Sequence, residues 1–128
     1  MNPAFSAVVA ASFLAVVWGY FWWRNTLNLA KGRRFLSAGA TLLDVGTAEE
    51  YAGDHISGAI NIPAEGLARR QEELGEHSRP VVVYARSALR SSVAAQALRG
   101  VGFHAVVSVG TLRRWRAEAP YGPGRPNG

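Results

Sequence analysis

The chain reads as an α/β domain, a central parallel sheet flanked by helices, preceded by an N-terminal transmembrane helix. Three observations carry that expectation. Four short apolar runs recur after residue 40 with helical stretches between them, the alternation that builds a parallel sheet with helices on both faces. The runs are apolar throughout instead of alternating with polar residues, as suits strands buried on both sides. Residues 3–23, PAFSAVVAASFLAVVWGYFWW, contain no charged side chain at all.

That first segment is long enough to cross the roughly 30 Å hydrocarbon core of a bilayer as a helix. It ends in Trp18, Tyr20, Phe21, Trp22 and Trp23, residues suited to the interfacial belt, and Arg24, Lys31, Arg33 and Arg34 follow. A cleaved signal peptide would carry a basic residue before the apolar run and a small-x-small site after it, and both are missing. A retained single-pass anchor is therefore expected. Its basic C-terminal flank places the remainder of the chain in the cytoplasm by the positive-inside rule. Residues 24–39 read as a basic juxtamembrane linker or a continuation of the helix, with Phe35 and Leu36 as possible first core contacts.

The 128 residues leave room for one compact domain beyond the anchor, expected over residues 40–120. ATLLDV, ending at Val45, is its first strand. Thr47 followed by Glu50 is a capping box opening the helix AEEYAGD. GAINIP, around Ile60 and Ile62, is the second strand, and AEGLARRQEEL mixes Leu67 and Leu74 with charges as a surface helix does. VVVY from Val81 is the third strand. In SVAAQALRGVGF, Val93, Ala94, Ala97, Leu98 and Val101 fall at helical spacing, with Gly100 or Gly102 as the stop. AVVSV is the fourth strand, and TLRRWRAEA is a last helix closed by Pro120. Residues 121–128, YGPGRPNG, read as a disordered tail.

Charge and composition narrow the function classes. The net charge is +5, but much of the excess follows the anchor, where anionic headgroups would meet it. No nucleic-acid motif is present, and no nucleic-acid partner is expected. The sequence has no cysteine, which excludes disulfides, thiolate metal sites and a thiol nucleophile. His77 and His104 are unpaired in sequence and His55 reads as fixing the turn before the second strand, so neither a metal site nor a cofactor is expected. Trp115 reads as packing its helix onto the sheet.

In an open α/β sheet, ligands gather beyond the carboxyl ends of the strands. The loop there is Ala85, Arg86, Ser87, Ala88, Leu89, Arg90 and Ser91, leaving the third strand for the next helix. Its backbone N–H groups and the helix dipole would stabilise an anion near Ala85. Arg86 and Arg90 would add charge, or would simply solvate the surface. Asp44, ending the first strand, would support the loop through backbone amides or stand as an ordinary strand-end residue.

LLDVGTAEEYAGDHISGAINIP, followed by VVVYARSALRSSVAAQALRGVGFHAVVSVGTLRRW, resembles a rhodanese-like domain. Three elements match in order: the LLDV strand with its E-E-Y helix, D-H-I-S-G-A-I-N-I-P against the family's G-H-I-x-G-A-x-N-I-P, and A-R-S-A-L-R-S against the active loop C-R-S-G-x-R-S. In catalytic members, the resemblance implies, the cysteine of that loop carries sulfane sulfur as a persulfide, its thiolate stabilised by the loop amides and the helix dipole. Here the matching position is Ala85, without a nucleophilic atom. Gly46 stands where an arginine is usual. Ala88 replaces the loop glycine, and alanine resists the φ > 0 that glycine often supplies. The resemblance, with its cysteine replaced and the expected anchor before it, leads to the expectation of a membrane-tethered, catalytically inactive module whose loop binds a small anion or a protein partner. The other reading is a sulfurtransferase, or sulfur carrier, working with a cysteine lent by another chain.

Overall fold

In a computed structural model the chain is described over residues 2–118. Its first element, α1 (Pro3–Ser37), is one unbroken helix of 35 residues, about 52 Å long at 1.5 Å per residue. Asn2 caps it, accepting from the Ala4 amide at 3.0 Å, and a proline sits in its first turn, where the ring's fixed φ suits the helix start. No side chain is buried between residues 3 and 24, and Val16 and Trp18 are among the most exposed apolar residues. The helix is thus long and apolar enough to cross a membrane.

The second half of α1 behaves differently. Leu29 is buried, and Gly32 lies so close to the sheet that a Cβ there would come 2.6 Å from Val109 Cγ1 and 3.4 Å from the Trp115 ring. Phe35 and Leu36 pack against the same cluster. The stretch expected as a juxtamembrane linker or helix is helical, and its inner face is part of the domain core. The remaining elements are β1 (Thr41–Asp44), α2 (Ala48–Gly53), β2 (Ile60–Asn61), α3 (Leu67–Arg70), β3 (Val81–Ala85), α4 (Ala88–Gly100), β4 (Val106–Thr111) and α5 (Leu112–Glu118). Short 3-10 turns at Ala64–Gly66 and Gln71–Leu74 flank α3, so the single surface helix expected there is broken into three pieces. The expected tail lies outside the described residues.

The four strands form one parallel sheet in the order β2-β1-β3-β4. Alternate residues of the central strands feed two cores, as the two-residue repeat of a strand requires. Leu43, Val81, Val83 and Ala85 meet Ala94, Ala95 and Leu98 of α4 on one face. Leu42, Val82, Tyr84 and Val109 meet Leu29 of α1 with Leu112 and Trp115 of α5 on the other. β3 is buried along its whole length, which explains why its sequence is apolar without alternation. α4 ends near Gly100, and Gly102 at φ +111 supplies the left-handed turn.

Candidate functional site

The carboxyl ends of β1 and β3 lie side by side, with Asp44 paired to Tyr84 in register, so the turn after Asp44 and the loop after Ala85 meet above the sheet. Ala85 is fully buried. The register between β3 and β4 slips between Val83 and Ala85, so the strand pairing is irregular where the loop departs. Ser87 caps α4, its hydroxyl accepting from the Arg90 amide at 3.1 Å. Ala88 is the first helical residue, and no residue other than glycine takes a positive φ among those described. The substitution of alanine for the usual glycine is thus absorbed by starting the helix at that point, without backbone strain.

Both loop arginines are engaged inside the domain. The Arg86 guanidinium donates to Asp44 Oδ2 at 2.6 Å, to the Glu50 carbonyl at 2.8 Å and to the Asp54 carbonyl. Asp44 has no solvent exposure, and its Oδ1 accepts from the Gly46 amide at 2.8 Å; a buried carboxylate requires such partners. Arg90 forms a two-pronged pair with Glu50, Nη1 to Oε1 at 2.8 Å and Nη2 to Oε2 at 3.0 Å, the geometry that suits guanidinium to carboxylate. The same Glu50 carboxylate accepts from Thr47 N at 3.0 Å while its amide donates to Thr47 Oγ1, completing the expected capping box. The Arg90 hydrogen bonds, with help from the Thr47 amide, hold the Glu50 carboxyl down at about 2, from an ordinary 4.5.

These contacts place each expected site residue. Asp44 meets the loop through the Arg86 side chain, and the backbone amide its carboxylate accepts from is that of Gly46 in its own turn. Arg86 and Arg90 are drawn back over α2, so their charge is spent on Asp44 and Glu50 and is not free for an anion above Ala85. Ser91 is buried beneath the loop, donating to the Val83 carbonyl and sharing a hydrogen bond with Ser108. The outward residues are Ala88 and Leu89, the latter 73% exposed.

Two residues have roles here that a sequence reading of the site does not give them. Glu50 is legible only as a cap, yet it also fixes Arg90. Gly46 leaves open a space that Arg86 fills, since a Cβ at 46 would lie 2.9 Å from Asp44 Oδ1 and 3.3 Å from Arg86 Nη1. The signal was a buried strand-end carboxylate in need of a cation, with a glycine beside it leaving room for one.

The other candidates have structural partners. His55 stacks on Tyr51 at 3.8 Å and its Nδ1–H donates to the Tyr51 carbonyl at 2.7 Å, which fixes the turn before β2. The Tyr84 hydroxyl accepts from the Ile56 amide at 3.0 Å, and burial raises its pKa well above the phenol range. The His77 ring lies against Phe103 and its carbonyl accepts from the His104 amide. Trp115 is a core residue.

Residues 29–118 match the family described as Rhodanese-like domain. The chain belongs to the rhodanese-like domain family. The match begins at Leu29, a buried residue of α1. Among curated relatives, the chain is 38% identical over 77 residues to YqhL, an uncharacterized protein of Bacillus subtilis (strain 168), covering 59% of this chain and 60% of that one. It is 35% identical over 78 residues to YrkF, a putative sulfur carrier protein of the same organism, covering 60% of this chain and 42% of that one. The aligned part therefore spans less than two thirds of either relative. Among solved structures, the rhodanese-like domain of the Alr3790 protein from Anabaena sp. superposes with a TM-score of 0.61 at 35% identity, covering 68% of this chain and 99% of that one. The human single-domain sulfurtransferase TSTD1 gives a TM-score of 0.57 at 27% identity, covering 67% and 89%. A rhodanese from E. coli solved with anions gives 0.57 at 28%, covering 59% and 91%.

Proposed function

We propose that this rhodanese-like protein is a membrane-anchored, catalytically inactive member of its family whose loop at residues 85–91 serves as a binding surface for a small anion or an acidic group of a protein partner. The observation that carries the reading is Ala85. It stands at the carboxyl end of β3, at the position matching the family's cysteine, and the sequence holds no other thiol to replace it. With Arg86 and Arg90 held by Asp44 and Glu50, and the Arg90 amide taken by the Ser87 hydroxyl, an anion there is recognised by the Ala88 and Leu89 amides of the first turn of α4, which have no acceptor within the helix. The anions in the E. coli rhodanese structure support this chemistry by analogy. Residues 3–23 supply the anchor, and the arginines and lysine after it favour a cytoplasmic domain.

The test is thiosulfate-to-cyanide sulfur transfer by the full chain in detergent or bilayer discs, comparing it with Ala85→Cys. The unmodified chain is expected to be silent and the cysteine variant to turn over, because the loop amides and helix dipole remain to stabilise a thiolate. Turnover by the unmodified chain would overturn inactivity. Silence of both would remove the anion-binding half of the proposal, since the loop would then no longer support a thiolate.

A second reading, sulfur transfer with a cysteine lent by another chain, is favoured by relatives named for sulfur chemistry. It requires a persulfide-bearing subunit in contact with this loop in the purified complex, which cross-linking with mass spectrometry detects.

A further inference from the structure

We propose that the carboxyl edge of the sheet, with the loop at residues 85–91, is held against the bilayer surface, and that the cleft beside it takes the phosphate headgroup of an anionic phospholipid. The inference rests on the reading of residues 3–23 as a membrane anchor. It follows from one feature of the fold, the continuity of α1 from Pro3 to Ser37. The helix enters the domain without a loop or hinge, so its direction fixes the domain's orientation relative to the membrane.

That direction can be read from contacts. The C-terminal end of α1 lies by the start of β1, where the Ala40 amide donates to the Phe35 carbonyl. Four residues N-terminal to Gly32, Asn28 shares a cleft with Gly110 near the end of β4 and with Ala88 of the loop. The helix therefore runs antiparallel to the strands, and its apolar half leaves from their carboxyl edge. From Trp23, the last residue of the apolar run, to the buried Leu29 is about 9 Å at the helical rise. The headgroup layer is itself some 5–7 Å deep on each side of the hydrocarbon. Phe21, within the aromatic belt, lines the same cleft as Ala88. The loop is thus brought to headgroup level by the geometry of one helix.

The chemistry of the cleft matches that location. It has a volume of about 370 Å³ and opens between α1, α4 and the edge strand β4. Arg24 and Arg99 contribute the charge, Asn28, Ser92 and Gln96 contribute hydrogen-bonding groups, and no carboxylate lines it among the described residues. Arg99 uses one Nη2 hydrogen bond on the Val106 carbonyl at 2.7 Å, and a guanidinium has five N–H donors. Leu89 stands exposed at the same edge, an apolar tip suited to the interface and unsuited to open water. A phosphodiester between two arginines and amide and hydroxyl donors, with its acyl chains toward Phe21, satisfies all of these features.

The absence of native cysteine makes the test direct. Single cysteines introduced as Val9→Cys, Leu89→Cys and Val101→Cys in the full chain are labelled with an environment-sensitive fluorophore. The proteins are reconstituted in phosphatidylcholine vesicles with or without phosphatidylglycerol. The label at 89 is expected to shift to the blue and to be quenched by headgroup-placed lipid quenchers, more strongly with phosphatidylglycerol, while the label at 101 stays water-like. Arg24→Gln is expected to reduce the phosphatidylglycerol effect about fivefold, the weight of one basic residue near an anionic surface. A label at 89 as wet as that at 101 in both lipids, with the label at 9 in hydrocarbon, would overturn the surface docking and leave the anchor standing. Equal quenching in both lipids, unchanged by Arg24→Gln, would overturn the headgroup site. A label at 9 outside the hydrocarbon would overturn the anchor, and with it this proposal.

Discussion

Glu50 joins two tasks that are usually separate. It caps α2 through Thr47 and holds Arg90 in a two-pronged pair, and that second contact keeps its carboxyl at about 2, well under the ordinary 4.5. A carboxyl whose pKa falls on folding stabilises the fold above its unfolded value, and that contribution is lost as pH drops through the folded one. Stability should therefore be insensitive to this group above about pH 5 and decline between 4.5 and 2. Glu50→Gln should be less stable at neutral pH and should show a shallower acid decline over that window, as measured by thermal unfolding of the full chain at a series of pH values. Asp54, lowered by Arg116, leaves some acid sensitivity in the variant. Acid limbs of equal slope in the two proteins would show that the Arg90 pair contributes nothing to the fold. Arg86 and Asp44 stand 42 residues apart and Arg90 and Glu50 stand 40 apart, so neither pairing leaves a local trace in the sequence. That is why the loop arginines were legible as present at the carboxyl edge but not as occupied.

Elements were legible where their determinants are local. Val81–Ala85 is recognisable as a buried strand from five consecutive small or apolar residues ended by Arg86, and α2 from its capping box. The inner face of α1 was legible only at Phe35 and Leu36, because another of its closest approaches is made by Gly32, which carries no hydrophobic signal, and because Lys31, Arg33 and Arg34 surround it. This arrangement makes a prediction with opposing terms. Gly32→Ala gains about 1 kcal/mol of helix propensity. The added methyl, however, would sit 2.6 Å from Val109 Cγ1, between the helix and the sheet, and overpacking of a filled core costs about 1–3 kcal/mol. Packing is expected to win, so the variant should unfold at lower denaturant concentration with an unchanged slope. A more stable variant would mean that α1 rides loosely on β4.

At the scale of the whole molecule, α1 is one helix with two kinds of surface. Residues 3–23 present apolar side chains on all sides and bury none, while Leu29, Gly32, Phe35 and Leu36 present one face to the sheet. The boundary between the exposed apolar half and the domain therefore falls inside a helix, between Arg24 and Leu29, and the domain's second core is incomplete without the helix's C-terminal end. Two truncations separate these parts. A chain beginning at residue 24 loses the apolar half but keeps every buried residue of α1, so it should remain in solution, unfold cooperatively and no longer float with vesicles. A chain beginning at Lys31 also loses Leu29, which is 3% exposed, at a cost of about 2–5 kcal/mol by the measure of large core deletions. Denaturant titration of the two should place the shorter chain's midpoint well below the longer one's. Equal midpoints would mean that Leu29 only covers the sheet and that the domain is complete from Lys31. A longer chain that still floats with vesicles would mean that the domain holds the bilayer through its carboxyl edge, even with the anchor gone.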